Sequence, residues 1–390
     1  MNPLQTCTAA ELAARSSLKW REYPPDVLPM WVAELDTTLA PPIRAALSAA
    51  VERGDTGYAY RTDLADAFSG FAARRYGWRP DPAHMVLVPD VLQAITAALG
   101  LVTGPGDGVA VDTPAYPAFL DQLRAFGRRI VENPMADGRI DLAGLERVFA
   151  GGVRAYLLCN PHNPTGTVAD IETLYAIAEL AQRYGVRLVV DEIHAPLTYP
   201  GVVHVPFATL DAEAAGRAFV AVSASKAWNL AGLKAALLVA APDAVADLRR
   251  LPPELWVSVG IFGVIAGAAA FDDGEPWLDD LLAGLDENRK LLAAELDREL
   301  PRVGYRPPDA TYLAWLDCRA LGLGDDPAAK FLERGRVALS PGTLFGAPGL
   351  GFARFNLGTS ADRIREAVAR MTHAVNWHHN ERNGTCSKRN

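Results

Sequence analysis

The chain has 390 residues, half of them hydrophobic, enough to bury one large core and a second, smaller one. A formal net charge of −8 argues against nucleic acid or an anionic membrane surface as a partner. The four cysteines (Cys7, Cys159, Cys318, Cys386) form no C-x-x-C and no metal-ligand spacing, so they read as free thiols of a reduced, cytoplasmic protein without metal.

In chain order, the first 20 residues are polar and mixed and carry no signal-peptide pattern. Between residues 81 and 241, short β-rich runs alternate with helical patterns. Strands are predicted at 85–88, 108–112, 129–132, 154–159, 187–190, 219–223 and 235–240, and helices at 92–102, 116–126, 141–149 and 170–184. Several of the strands are continuous apolar runs, as in strands covered on both faces. The alternation specifies a doubly wound α/β domain with a mainly parallel sheet. The apolar run 255–271 falls short of the ~20 residues of a membrane span and reads as a buried helix. A charged amphipathic helix at 277–300 follows. Short strands around 312–316, 336–339 and 353–356 and a helix at 360–375 then make a smaller α+β domain. From Trp377 the chain is polar and reads as a flexible tail.

Three segments in the α/β region carry chemistry. In Ser223-Ala224-Ser225-Lys226-Ala227-Trp228-Asn229-Leu230-Ala231-Gly232, a lysine stands between small hydroxyl residues and a glycine turn. A lysine that condenses with an aldehyde must be partly desolvated and able to lose its proton. The hydroxyls can bond a phosphate dianion without adding bulk. Alone the motif is weak, because most lysines are solvated surface charges. Val189-Val190-Asp191-Glu192-Ile193-His194 puts Asp191 at the C-terminal end of a buried strand, where ligands bind in open α/β sheets. The bland alternative there is a helix cap or a solvated strand end. In Asn160-Pro161-His162-Asn163-Pro164-Thr165-Gly166, two Asn-Pro steps force a turn at a strand exit. An amide in that turn can hydrogen-bond a ring oxygen, or the turn is an ordinary loop.

Asp191 follows Asn163 by 28 residues and Lys226 follows Asp191 by 35. This combination resembles the aminotransferase class I/II family, the fold-type I enzymes that use pyridoxal 5′-phosphate (PLP). Further segments resemble one branch of it, the MalY/PatB-type cystathionine β-lyases and C–S lyases. They are Lys19-Trp20, Leu28-Pro29-Met30-Trp31-Val32-Ala33-Glu34-Leu35-Asp36, Gly57-Tyr58, Thr113-Pro114-Ala115-Tyr116, Asn229-Leu230-Ala231-Gly232-Leu233 and Phe352-Ala353-Arg354-Phe355-Asn356. The stretch from Asp191 to Gly201, with His204, Pro206 and Phe207, is the most branch-specific part of a resemblance that spans residues 17–372.

The resemblance implies a large PLP-binding α/β domain at 41–280, a discontinuous small domain of 1–40 with 281–376, and a tail at 377–390. It implies a homodimer with shared active sites, in which Tyr58 reaches the neighbouring subunit's phosphate. Lys226 would hold PLP and act as general base on the substrate Cα proton. Asp191 would keep the pyridine nitrogen protonated. Asn163 and His194 would contact the ring oxygen, and Tyr116 would stack on the ring. The phosphate would sit at the helix N-terminus near Val91 and Leu92. Ser223 and Ser225 would add hydroxyls there. Arg354 would grip the substrate α-carboxylate bidentately, with Trp31 and Ala33 on the substrate side.

The implied reaction is α,β-elimination of L-cystathionine or a related cysteine S-conjugate to a thiol, pyruvate and ammonia, in methionine or specialised metabolism. The alternatives are an amino-acid aminotransferase, which shares the early steps, and a PLP-binding regulator working by protein contact. Four positions depart from the family pattern. Glu34 stands where the branch usually has Asp, Thr37 where it has an aromatic, and Trp228 where it has Phe. Lys234 stands where many aminotransferases carry a phosphate-binding Arg, and is expected either on the phosphate or in solvent. Gly104-Pro105-Gly106-Asp107-Gly108 precedes a strand rather than following one, so it is no dinucleotide fingerprint. His373, His378 and His379 read as a solvated helix end rather than a metal site.

Overall fold

The computed structural model describes residues 2–60 and 62–386, apart from the side chains of Pro253 and of residues 378–386. It divides into two units. One comprises Met1–Thr38, Pro164–Gly166 and Asp280–Asn390; the other comprises Leu39–Asn163 and Thr167–Asp279. The first strand of the smaller unit is the two-residue β1 (Leu28–Pro29), after three short helical segments.

The larger unit is built on seven strands: β2 (Met85–Val88), β3 (Gly108–Thr113), β4 (Arg129–Pro134), β5 (Ala155–Cys159), β6 (Arg187–Asp191), β7 (Phe219–Val222) and β8 (Ala236–Ala240). They form one sheet in the order β2-β8-β7-β6-β5-β3-β4. Strand β8 runs antiparallel to both its neighbours, and every other pairing is parallel. The mainly parallel α/β sheet predicted from the alternating runs is therefore the observed one, and each predicted strand lies within two residues of an observed strand. Strands β3, β5, β7 and β8 are buried along their whole length, because helices cover both faces. Each fully buried Val or Leu here contributes about 1.5–3 kcal/mol of transfer free energy.

Local signals set the helix ends. The Asp170 carboxylate accepts from Thr173 N (2.8 Å) at the start of helix Ile171–Tyr184, and Gly185 closes it at φ 67°. Asp90 caps helix Val91–Val102 through Gln93 N (2.9 Å).

The run 255–271 is not one buried helix. A 3₁₀ helix, Pro253–Ser258, precedes an extended Val259-Gly260, and the α-helix is Ile261–Asp273. The break has a steric cause. Gly260 N donates to Lys234 O (3.0 Å), and a Cβ at Gly260 would lie 2.5 Å from Leu233 O. The chain must leave the helical path to dock on that backbone. Val257 before the break is 40% exposed. Helix Ile261–Asp273 packs on helices Pro41–Glu52 and Asp63–Tyr76, which were not among the sequence-predicted elements.

In the smaller unit, β9 (Gly304–Tyr305), β10 (Leu313–Asp317), β12 (Ser340–Pro341) and β13 (Phe352–Asn356) form an antiparallel sheet in the order β12-β13-β10-β9. Strand β11 (Val337–Ala338) pairs instead with β1, in parallel. The single strand predicted at 336–339 is thus two short pieces that change partners at Leu339. The last helix, Ala361–Cys386, continues past its predicted end at 375 and takes in most of the expected tail; residues 387–390 lie outside the described ones. No helix among the described residues is long and apolar enough to cross a membrane.

Candidate active site

The topology of the larger unit gathers the predicted cofactor residues. Strands β2, β3, β5, β6 and β7 run in one direction, so their C-terminal ends share one edge of the sheet. Asp90-Val91, Tyr116, Asn163, Asp191 and Lys226 all follow those ends. This is the edge where open α/β sheets bind ligands.

Asp191 ends β6 and is buried; it pairs in register with Cys159 of β5. One of its oxygens accepts from Ile193 N (3.0 Å). Burial dominates its titration and pushes the carboxyl up to about 7, against the opposing pull of that N–H and of the Lys226 charge. Lys226 is half-buried in the turn after β7. Asn163 and His194 are buried, while Tyr116 is half-buried, with its ring edge-on to Phe119 (5.3 Å).

The serines divide their work. Ser223 Oγ donates to Ala235 O (2.8 Å) and accepts from Ser225 N (3.1 Å), so its hydroxyl braces the lysine turn. It would have to leave that bond to donate to a phosphate. Ser225 is half-buried. Val91 is buried and Leu92 half-buried in the first turn of helix Val91–Val102. Lys234 is exposed, as the solvent expectation had it, and its Nζ lies 3.0 Å from Asp90 Oδ2, the acid that caps this helix. Tyr58 is 76% exposed, in the segment between helices Pro41–Glu52 and Asp63–Tyr76.

Arg354 of β13 belongs to the smaller unit, where it is buried. Its Nη2 donates to Trp31 O (3.1 Å) and to Ser340 Oγ (3.2 Å), and its guanidinium lies 5.1 Å from the Phe345 ring centre. Ala33 offers its carbonyl to the Tyr312 hydroxyl at 3.0 Å. Burial pushes the Tyr312 phenol up, so it stays a donor at neutral pH.

Several polar residues of this scaffold escaped sequence reasoning. Ser340 and Tyr312 bear on the Arg354 region from distant parts of the chain and carry no local signal. Lys19 and Asp36, which the family motif contains without assigning a role, form a buried ion pair at 2.8 Å. Glu192, next to Asp191, accepts from Phe207 N (2.7 Å) and lies 3.5 Å from the buried His204.

The model of the family described as aminotransferase class I and II matches residues 32–371. The chain belongs to that family. Within it, the chain falls in the branch of MalY and PatB: the cystathionine β-lyase PatB of Bacillus subtilis is 36% identical over 90% of this chain and 93% of its own. A candidate cystathionine β-lyase of Mycobacterium leprae is 46% identical over 397 residues, 96% of this chain and 98% of its own. Among solved structures, a candidate PLP-dependent β-cystathionase from Corynebacterium diphtheriae superposes with a TM-score of 0.92 at 36% identity, covering 96% of this chain and 99% of that one.

The donor set of the larger unit fits the cofactor of this family. Asp191 is a buried acid whose carboxyl burial pushes up to about 7, and a protonated ring nitrogen is a cation that would hold it as the anion. Lys226 is half-withdrawn from water, as an amine that must lose its proton requires. A capped helix N-terminus and the Ser225 hydroxyl lie at the same sheet edge for a phosphate.

Proposed function

We propose that this chain is a PLP-dependent C–S β-lyase that cleaves L-cystathionine, or a related cysteine S-conjugate, to a thiol, pyruvate and ammonia. The observation that carries the reading is the near full-length similarity to PatB, supported by Lys226 and Asp191 standing in motifs that resemble the family's. PLP, when bound, supplies an electron sink for the pair released as the substrate Cα–H bond breaks.

The chain's own residues do the rest. Lys226 would hold the cofactor and, as a free uncharged amine, would take the substrate Cα proton on its Nζ. Asp191, as the anion, would hold the proton on the ring nitrogen. Asn163 and His194 would hydrogen-bond the ring oxygen, and Tyr116 would stack on the ring. The helix start at Val91 and Leu92 would receive the phosphate, helped by Ser225 and, if it left its bond to Ala235 O, by Ser223. Lys234 neutralises the Asp90 carboxylate that would otherwise repel it. Arg354 takes the substrate carboxylate, with Trp31 and Ala33 on the substrate side. As the Cβ–S bond breaks, the electron pair left at Cα forms the Cα–Cβ double bond and the thiolate departs. The released enamine hydrolyses to pyruvate and ammonia.

The working form is a homodimer in the cytoplasm. The exposure of Tyr58 on the single chain is what a residue serving a neighbouring subunit requires.

The test is the purified yellow protein supplied with L-cystathionine and no keto acid, with pyruvate, free thiol and the cofactor spectrum followed together. Stoichiometric pyruvate and thiol over many turnovers is the expected result. Bleaching to the pyridoxamine form without pyruvate would make the protein an aminotransferase.

A further inference from the structure

The segment 31–36 of the smaller unit has no helical or strand ladder of its own, yet nearly every carbonyl in it is held from outside. Trp31 O accepts from Ser340 Oγ (2.6 Å) and Arg354 Nη2 (3.1 Å). Val32 O and Glu34 O both accept from Asn356 Nδ2 (2.7 Å each), and Ala33 O accepts from Tyr312. Irregular backbone of this kind keeps one conformation only while its polar groups are satisfied.

At the far end of the segment stands Lys19. Its Nζ donates to Glu34 O (3.2 Å) and to Asp36 Oδ1 (2.8 Å), and the two charged side chains are 1% and 2% exposed. Asp36 N in turn donates to Gly358 O (2.7 Å). A buried ion pair adds little stability over well-packed apolar side chains, so its use here points to conformational specificity. The chain of contacts is continuous. Lys19 fixes Glu34 and Asp36, the clamped backbone fixes the Trp31 carbonyl, and that carbonyl, with Ser340 Oγ, accepts from Arg354 Nη2.

We propose that Lys19 is a positioning residue for substrate-carboxylate recognition, acting through Asp36 and the clamped segment 31–36 to hold the Arg354 guanidinium in its binding orientation. This rests on the reading that Arg354 takes the carboxylate. A displaced guanidinium loses bidentate geometry, which point charge alone does not restore.

The test is the holoenzyme of the double variant Lys19→Met/Asp36→Leu, which leaves no lone buried charge, with Asp36→Asn as a milder second variant. The readouts are KM and kcat for L-cystathionine and the inhibition constants of L-alanine and L-alaninamide, which differ in the carboxylate. The expected result is a KM and an L-alanine constant raised roughly tenfold or more, kcat and the visible spectrum close to wild type, and an unmoved L-alaninamide constant. A folded variant with unchanged constants for both ligands, or with both raised equally, overturns the proposal. Arg354→Lys is the control: if it leaves the preference for L-alanine intact, the reading of Arg354 itself falls, and the role of Lys19 with it.

Discussion

Asp191 and Cys159 are register partners at the ends of two adjacent parallel strands, both buried. The pairing puts the acid at the edge of the sheet where ligands bind, with a thiol that burial and the acid's charge keep protonated. Asp191→Asn keeps the shape and removes the charge that, in the proposed reading, would hold the ring-nitrogen proton. Turnover of L-cystathionine should fall about 10²–10⁴-fold while the protein still folds, as steady-state kinetics beside circular dichroism would show.

Stability of the cofactor-free protein should depend on pH through the same residue. Burial raises the folded-state carboxyl from 3.8 to about 7. Between those values the folded protein binds a proton that the unfolded chain has lost. The contribution is therefore complete below the unfolded value and is lost as pH rises through about 7. Thermal midpoints of cofactor-free wild type should fall between about pH 4 and 7 relative to those of Asp191→Asn. Equal slopes in the two proteins would contradict this. Asp112, pushed up to about 6 by burial, acts in the same direction over a lower window.

Trp228 lies two residues from Lys226, buried between Phe71 and Phe271 with ring centres 5.7 Å from each, and its Nε1 donates to Gly274 O (3.1 Å). Trp228→Phe loses that bond and some volume. A destabilisation of about 1–3 kcal/mol by urea denaturation, with kcat little changed, is expected.

Gly166 closes the Asn-Pro turn at φ 69°, and both Asp309 N and Ala310 N donate to its carbonyl (2.9 Å each). An added Cβ would lie 2.3 Å from Pro308 Cβ. Gly166→Ala combines left-handed strain with a steric clash and should cost more than about 2 kcal/mol in a denaturation curve.

Arg354→Lys should raise KM for L-cystathionine roughly 10–100-fold, because an ammonium cannot form the paired bonds of a guanidinium. A KM unchanged beside a lowered kcat would move Arg354 from substrate binding to another step.

Much of the larger unit was legible locally. Buried parallel strands are continuous apolar runs, and their covering helices show periodicity and caps such as Asp90 and Asp170. The site motifs were legible for a related reason: a strand end followed by Asp191, Asn163 or Lys226 is a short-range pattern tied to a fixed place in a parallel sheet. The run 255–271 was misjudged because its break depends on Gly260 meeting the backbone of Leu233 and Lys234, which the hydrophobic pattern does not contain.

What the amino-acid order determined by itself is the alternation of elements, the family, and the residue types at the ends of β5, β6 and β7. Tertiary structure alone decided that β8 runs against its neighbours, that Lys234 pairs with Asp90, that Ser223 braces the turn before Lys226, and that Lys19 and Asp36 are buried together beneath the segment leading to Arg354. The physical reason is separation along the chain. Periodicity and capping act over a few residues, whereas a buried charge finds its partner only when the packing of distant segments excludes water around both.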